Sequence, residues 1–415
     1  MKKNAILILI FLVVAGGCFA GGKTDSFQGE KIRVVFWHRT SDNFEKEIAA
    51  FEALNPDVTI VSEAVGTNYD DLYTKYMTAI ASNSLPNIGI VGQRHGISQM
   101  YESGKLLPIE DFLEPVLIKD VMPGYWGRFI YDGKKVCVPY SSSVPVLYYN
   151  ADLFEQNKLI PPKRFSEIPA IAKQLTLDTN GDGKTDVYGF NFNADTPWYL
   201  QAWVWDCGFR VTLAGDKASV DSGGYRQVFE TISNMVHGDK SMPANQHSTS
   251  IDDFMNGYTA MFITSSANLK QLSEGCAFKL GVAPFPGKNT ILGGNSLGLF
   301  SADKKTVEAS VRFINYLLSL DGSLTNIKKG YLPIRNSFLQ SSEIKDLLKK
   351  EPERRVSIDS VAHLSMQSVN VADSTIWMET KEIVSEVEAN SKADIPALLA
   401  EFQKTVNRFY ADYYR

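Results

Sequence analysis

The stretch Ile32-Arg33-Val34-Val35-Phe36-Trp37 is a short run of β-formers that enters a polar turn, His38 to Asn43. Beyond the turn, Phe44, Ile48, Phe51 and Leu54 recur at helical spacing, Asn55-Pro56-Asp57 breaks the helix, and Val58 to Val61 begins a second strand. This is a β-α-β unit. Leu72, Tyr76 and Ile80 mark a second helix, Leu85-Pro86 ends it, and Ile88-Gly89-Ile90-Val91 forms a third strand. Strands alternating with helices predict a parallel α/β sheet, because consecutive parallel strands need a helical crossover to return to the same edge. Ligands of such sheets sit beyond the carboxyl ends of the strands, so the loops His38–Asn43 and Gly92–Gly96 are the ones that can carry a site.

The middle of the chain repeats the arrangement. Val146-Leu147-Tyr148-Tyr149 reads as a strand, Pro161-Pro162 precedes a helix through Ile168 and Ile171, and Ala260-Met261-Phe262-Ile263 reads as another strand. A second α/β lobe follows from this. From about Ile376 to Tyr410 two helices are predicted, broken at Ser391–Asp394. The total of 415 residues suits two or three compact units, and 44% hydrophobic against 21% charged residues is enough apolar material to fill their cores. Net charge is -5, and Lys2 and Lys3 fall in a segment expected to be removed, so the mature chain is more acidic still. Without a dense Lys/Arg run to displace phosphate counterions, no nucleic-acid partner is expected.

The N-terminus carries an export signal. Lys2 and Lys3 precede an apolar run from Ala5 to Val14, which is too short to span a hydrocarbon layer of ~30 Å but fits a signal peptide. Ala15-Gly16-Gly17 then leads into Cys18, a pattern similar to the bacterial lipobox, in which the cysteine thiol receives diacylglycerol and becomes the new N-terminus. Ordinary cleavage after Ala20 is the competing reading. On the lipobox reading, residues 1–17 are the signal peptide and residues 18–30 a lipidated polar tether that anchors an extracytoplasmic (periplasmic) protein to a membrane. Cys137, Cys207 and Cys276 remain, allow at most one disulfide, and match no zinc spacing.

Four further motifs bear on chemistry. Gly294-Asn295-Ser296-Leu297-Gly298 satisfies the G-x-S-x-G pattern of a hydrolase elbow, but Leu297-Gly298-Leu299-Phe300 is strand-like and the helix waits until after Asp303, whereas an elbow needs the helix directly after the serine. Asp178, Asn180, Asp182 and Asp186 supply oxygens at the spacing of a calcium loop with Gly183 at its sharp turn, yet Gly189 stands where a bidentate Glu is needed. Structural calcium and a plain Asx-rich turn both remain open there. The histidines form no metal-binding pair, no cofactor is required, and the adjacent Glu110-Asp111 are expected to cap a following helix rather than to act as paired catalytic carboxylates. Three tryptophans, Trp198, Trp203 and Trp205, crowd into eight residues; two such rings belong in a core and one can face a ligand.

Pro139-Tyr140-Ser141-Ser142-Ser143-Val144-Pro145-Val146-Leu147-Tyr148-Tyr149-Asn150, the segment Phe254–Met261 with Ser265-Ser266, Ile291–Leu297, and Gly330–Ile334 occur in an order that resembles the extracellular solute-binding proteins of ABC importers of the carbohydrate-uptake type, nearest to the branch for glycerol-3-phosphate and glycerophosphodiesters. The resemblance runs from Trp37-His38 over nearly the whole mature chain. It implies a maltose-binding-protein-like α/β fold of two lobes hinged by crossing strands, near Ser141–Val146, near Ile291–Leu297 and after Tyr331–Arg335. Residues 31–143 and 291–336 would then form the N-terminal lobe, and 144–290 and 337–415 the C-terminal lobe. The implied function is ligand capture without catalysis, by a monomer that delivers a small molecule to membrane permease subunits.

Carried over residue by residue, the resemblance implies ligand contacts at Tyr69, Ser142 or Ser143, Trp198, Ser265 or Ser266, Gly294 and Tyr331. Hydroxyls and a glycine N–H donate to phosphate oxygens, and aromatic faces cover the glycerol carbons. Two positions depart from the family pattern. Met378 falls where the relative has a phosphate-pairing arginine, and Gln93 falls where it has a glutamate. The expectation is therefore a pocket of mostly neutral donors favouring a singly charged glycerophosphodiester such as glycerophosphocholine, with Arg94 as the alternative anchor and Trp377 as a platform for a quaternary ammonium head. A sugar or oligosaccharide is the second ligand class, and an extracytoplasmic serine hydrolase using Ser296 the reading from another class.

Overall fold

The computed structural model describes residues 29–93, 96–193, 197–209, 218–220, 223–244, 248–365 and 370–415. Cys18 and Arg94 lie outside them.

The opening unit folds as its pattern requires. Strand β1 (Ile32–Arg39) pairs in parallel with β2 (Val58–Gly66), from Ile32 opposite Val58 onward, and with β3 (Ile88–Gly92) at Phe36 and Trp37. Helices Glu45–Leu54 and Tyr69–Ser82 make the crossovers. Val34 and Phe36 on one face of β1 are fully buried, and the Phe36 ring meets Phe44 edge-on at 4.8 Å and Phe313 at 5.6 Å.

The sheet is mixed, not parallel throughout. Its order is β2-β1-β3-β12-β4, with β4 at Leu106–Leu107, β12 at Gly293–Phe300, and β7 (Val138–Ser143) also paired with β12. Strand β12 runs antiparallel to β3, β4 and β7. The reason is connectivity: β12 arrives from the other lobe, so it starts at the edge where the parallel strands end. A two-stranded ribbon of β5 (Ile130–Tyr131) and β6 (Lys134–Lys135) stands apart.

The second sheet has the order β11-β8-β10-β9, formed by Leu280–Pro284, Pro145–Asn150, Met261–Ser265 and Asn191–Phe192. Val144 alone separates the end of β7 in the first sheet from the start of β8 in the second. Strand alternation divides the buried residues between two cores, with Tyr148 and Phe262 in the one that continues into the first lobe and Leu147 and Ile263 in the other. Trp203 is fully buried in the second core, stacked between Phe165 at 4.4 Å and Phe285 at 5.3 Å. Burying a ring of that kind contributes at least ~1.5–3 kcal/mol. Helices Asp373–Ala389 and Ile395–Tyr413 pack on the same core, broken at the expected place. No helix among the described residues is long and apolar enough to cross a membrane.

Three sequence motifs resolve here. Ser296 sits inside β12 with no solvent exposure and donates to the Val91 carbonyl at 3.1 Å, so no nucleophile elbow is formed. Glu110 and Asp111 do not cap a helix. They lie in a 3-10 turn, Ile109–Asp111, and Glu110 stands 3.6 Å from both Lys134 and Lys135, drawn by their charge. In the Asx-rich loop, Asp178 accepts from the Gly181 and Gly183 N–H groups, Asn180 from Asp182, Asp182 from Lys184, and Asp186 from Thr179. The oxygens brace their own turn, and among the described residues no group of three His, Cys, Asp or Glu is placed to hold a metal ion. Calcium therefore gains no support. Cys137, Cys207 and Cys276 are free thiols.

Candidate ligand-binding site

A cleft of about 500 Å³ opens at the carboxyl edge of β1 and β3, between the two sheets. Arg39 enters it from the end of β1 and Gln93 from the loop after β3, the two loops marked by the strand pattern. Tyr69 begins helix Tyr69–Ser82, whose first turn is fixed by the Asn68 side chain accepting the Asp71 N–H at 2.9 Å. Ser143 ends β7 and Ser265 ends β10, so both point into the cleft from strand termini that face it. Gly293, Gly294 and Tyr331 line the hinge side, and Trp198, Trp377 and Lys381 come from the second lobe's helical layer.

Of each serine pair the structure brings one member to the cleft. Ser142 and Ser266 do not line it. Ser142 is fully buried in the hinge ladder, where its carbonyl accepts the Leu332 N–H at 2.7 Å, and the Ser266 hydroxyl accepts from the Val144 N–H at 3.3 Å. Alternation along β7 explains the first pair, since neighbours point to opposite faces, while Ser266 has already left β10 for the 3-10 turn Ser266–Asn268. Trp203 and Trp205 are core rings, whereas Trp198 is half-buried and meets Tyr199 edge-on at 5.7 Å.

Two glycines permit the close approach. Gly294 has φ +99, and a Cβ there would lie 1.8 Å from the Ser141 carbonyl oxygen; a Cβ on Gly293 would lie 2.6 Å from the Trp198 ring. The Gln93 amide donates to the Gly293 carbonyl at 2.7 Å, leaving its buried oxygen without a partner among the described residues. That oxygen is an acceptor on a residue that lines the cleft.

The charged groups depart from the expected neutral pocket. Met378 is 54% exposed on the outer face of helix Asp373–Ala389, so it is not the cleft residue. Trp377 and Lys381, one helical turn apart, face the cleft instead. Arg39 also lines it, ion-paired to Asp42 at 2.6 Å with its guanidinium 4.4 Å from the centre of the Tyr69 ring. Burial opposes the Arg39 charge, but the hydrogen-bonded Asp42 carboxylate counters it and the guanidinium stays protonated. Burial pushes the Tyr69 and Tyr331 phenols up, against the lowering effect of Arg39, so both remain neutral hydroxyls. Arg39 and Lys381 were not among the residues marked from sequence, although Arg39 directly follows Trp37-His38 in a marked loop and Lys381 follows Trp377 by one turn.

Residues 46–352 match the sequence profile described as bacterial extracellular solute-binding protein. The chain belongs to the bacterial extracellular solute-binding proteins. Among curated members of this kind, the sn-glycerol-3-phosphate-binding periplasmic protein UgpB of Escherichia coli K12 is 26% identical over 357 residues, covering 77% of this chain and 78% of its own. Two solved solute-binding structures share the fold. UgpB from Mycobacterium tuberculosis in complex with glycerophosphocholine superposes with a TM-score of 0.79 at 20% identity, covering 92% of this chain and 99% of its own. MalE from Bdellovibrio bacteriovorus bound to maltotriose does so with 0.78 at 21% identity, covering 92% and 100%. As a solute-binding protein of this family the chain is extracytoplasmic, and its fold is the two-lobed, maltose-binding-protein-like α/β type.

Proposed function

We propose that this solute-binding protein captures a glycerol phosphate compound, glycerol-3-phosphate or a glycerophosphodiester such as glycerophosphocholine, and hands it to the permease of an ABC importer. The observation that carries this reading is the mixed lining of one cleft: the Ser143 and Ser265 hydroxyls, two tyrosine hydroxyls and the Lys381 ammonium beside the faces of Trp198 and Trp377. Hydroxyls and an ammonium suit phosphate oxygens, while indole faces suit glycerol carbons or a quaternary ammonium. The Gln93 oxygen would accept from a glycerol hydroxyl. The protein acts by binding and release, not by catalysis.

The lobes, in this reading, are residues 31–143 with 291–336 and residues 144–290 with 337–415. They close on the ligand about the crossing segments near Ser141–Val146, near Ile291–Leu297 and after Tyr331–Arg335. The protein works as a monomer tethered through lipid on Cys18. Incorporation of labelled palmitate into the wild type and its loss in Cys18→Ala, with release from membranes, is the expected outcome; an unlabelled wild type overturns the tether.

Calorimetric titration with glycerol-3-phosphate, glycerophosphocholine and maltose tests the ligand. Binding of either phosphate compound and not of maltose is expected. Binding of maltose alone assigns the protein to the oligosaccharide receptors of the same fold.

A further inference from the structure

Among the described residues the cleft is lined by three charged side chains, Arg39, Asp70 and Lys381, two of them cations and each cation from a different lobe. Arg39 is held in a fixed position at the cleft. Its Nε and one Nη donate to the Asp42 carboxylate at 3.2 and 2.6 Å, it also donates to the Tyr331 hydroxyl, and its central carbon lies over the Tyr69 ring, 4.4 Å from the ring centre. Asp42 and Tyr331 take three of the five guanidinium N–H donors, so two remain for a ligand. Asp42 itself does not line the cleft, so the group a ligand meets is the guanidinium. A cation fixed by an ion pair and an aromatic face loses little rotamer freedom on binding, which is what strong recognition of an oxyanion requires.

We infer that Arg39 is a phosphate-binding residue that fixes the ligand's charge class, clamping the anion against Lys381 as the lobes close. The inference rests on the glycerol phosphate reading above and deepens it. A dianionic monoester carries more charge to place between two cations than a diester does, so it draws more from Arg39. The ligand class selected is a compact phosphate ester, and uncharged sugars gain nothing from this wall.

The test uses the full mature protein and its Arg39→Gln and Arg39→Lys variants, titrated with glycerol-3-phosphate and glycerophosphocholine. Arg39→Gln is expected to weaken glycerol-3-phosphate by about 10- to 100-fold, the range of a hydrogen bond to a charged group, and glycerophosphocholine by less. Arg39→Lys keeps the charge without the fork and is expected to fall between the wild type and Arg39→Gln. It also serves if the Gln variant does not fold. Variants that bind both phosphates as tightly as a binding wild type overturn the role of Arg39 alone. A wild type that binds neither phosphate overturns the ligand reading itself.

Discussion

Arg128 and Asp373 form an ion pair of 2.8 Å whose side chains are 4% and 6% exposed, joining a turn just ahead of β5 to the first residue of helix Asp373–Ala389. Asp373 also accepts the Asn370 N–H at 3.0 Å, and Arg128 donates to the Gln201 amide oxygen at 3.2 Å. The pair thus ties material of the first lobe to the start of the helix that presents Trp377 and Lys381 to the cleft.

Removing one partner leaves the other charge buried and unpaired. Arg128→Met or Asp373→Asn is expected to destabilise the fold by ~3–5 kcal/mol, and Arg128→Met with Asp373→Leu to recover a large part of that loss, measured by denaturant unfolding. Single variants as stable as the wild type would show that water reaches the pair.

Trp198 lies against Gly293 at the cleft wall, outside the Trp203 stack. Trp198→Ala is expected to weaken binding of the phosphate ligand by ~1–3 kcal/mol while shifting the melting temperature little. A large drop in melting temperature at unchanged affinity would place the ring in the core.

Met378 and Lys381 give opposite expectations from one helix. Met378→Arg, on the exposed outer face, should change affinity less than about twofold, whereas Lys381→Met should weaken a phosphate ligand by ~1.5–3 kcal/mol. Titration of both variants decides whether the helix presents the face described.

Asp120 supplies the pH dependence. Burial alone would raise its carboxyl, but the Ser337 hydroxyl and the Arg335 guanidinium, the latter at 2.7 Å, hold it below the usual carboxylate range. A depressed folded value contributes stability above the unfolded value of ~3.9, and that contribution is lost as pH falls through the folded value. Asp120→Asn should therefore lower stability at neutral pH and flatten the loss seen below about pH 4, measured by unfolding across pH 2 to 7.

The fold was legible where periodicity is local. Phe44, Ile48 and Phe51 announce a helix because 3.6-residue spacing acts within a single element, and Val34 and Phe36 announce a strand face for the same reason. The loops at the ends of β1 and β3 were legible too, since ligands of α/β sheets gather there. The direction of β12 was not, because pairing partners hundreds of residues apart leave no spacing signal.

The site divides along the same line. Sequence by itself determined the residue types: hydroxyls at the ends of β7 and β10, an indole ahead of the core tryptophans, a glycine at 294 that the backbone demands, and the ordered segments that mark the family. Only the tertiary structure decided which serine of each pair faces the cleft, that Lys381 and not Met378 is the inward residue of its helix, and that Arg39 lines the same cleft. Strand alternation and helical rotation turn a one-residue shift into a different face, and the phase of that rotation is set by packing against the two cores, which a linear pattern does not contain.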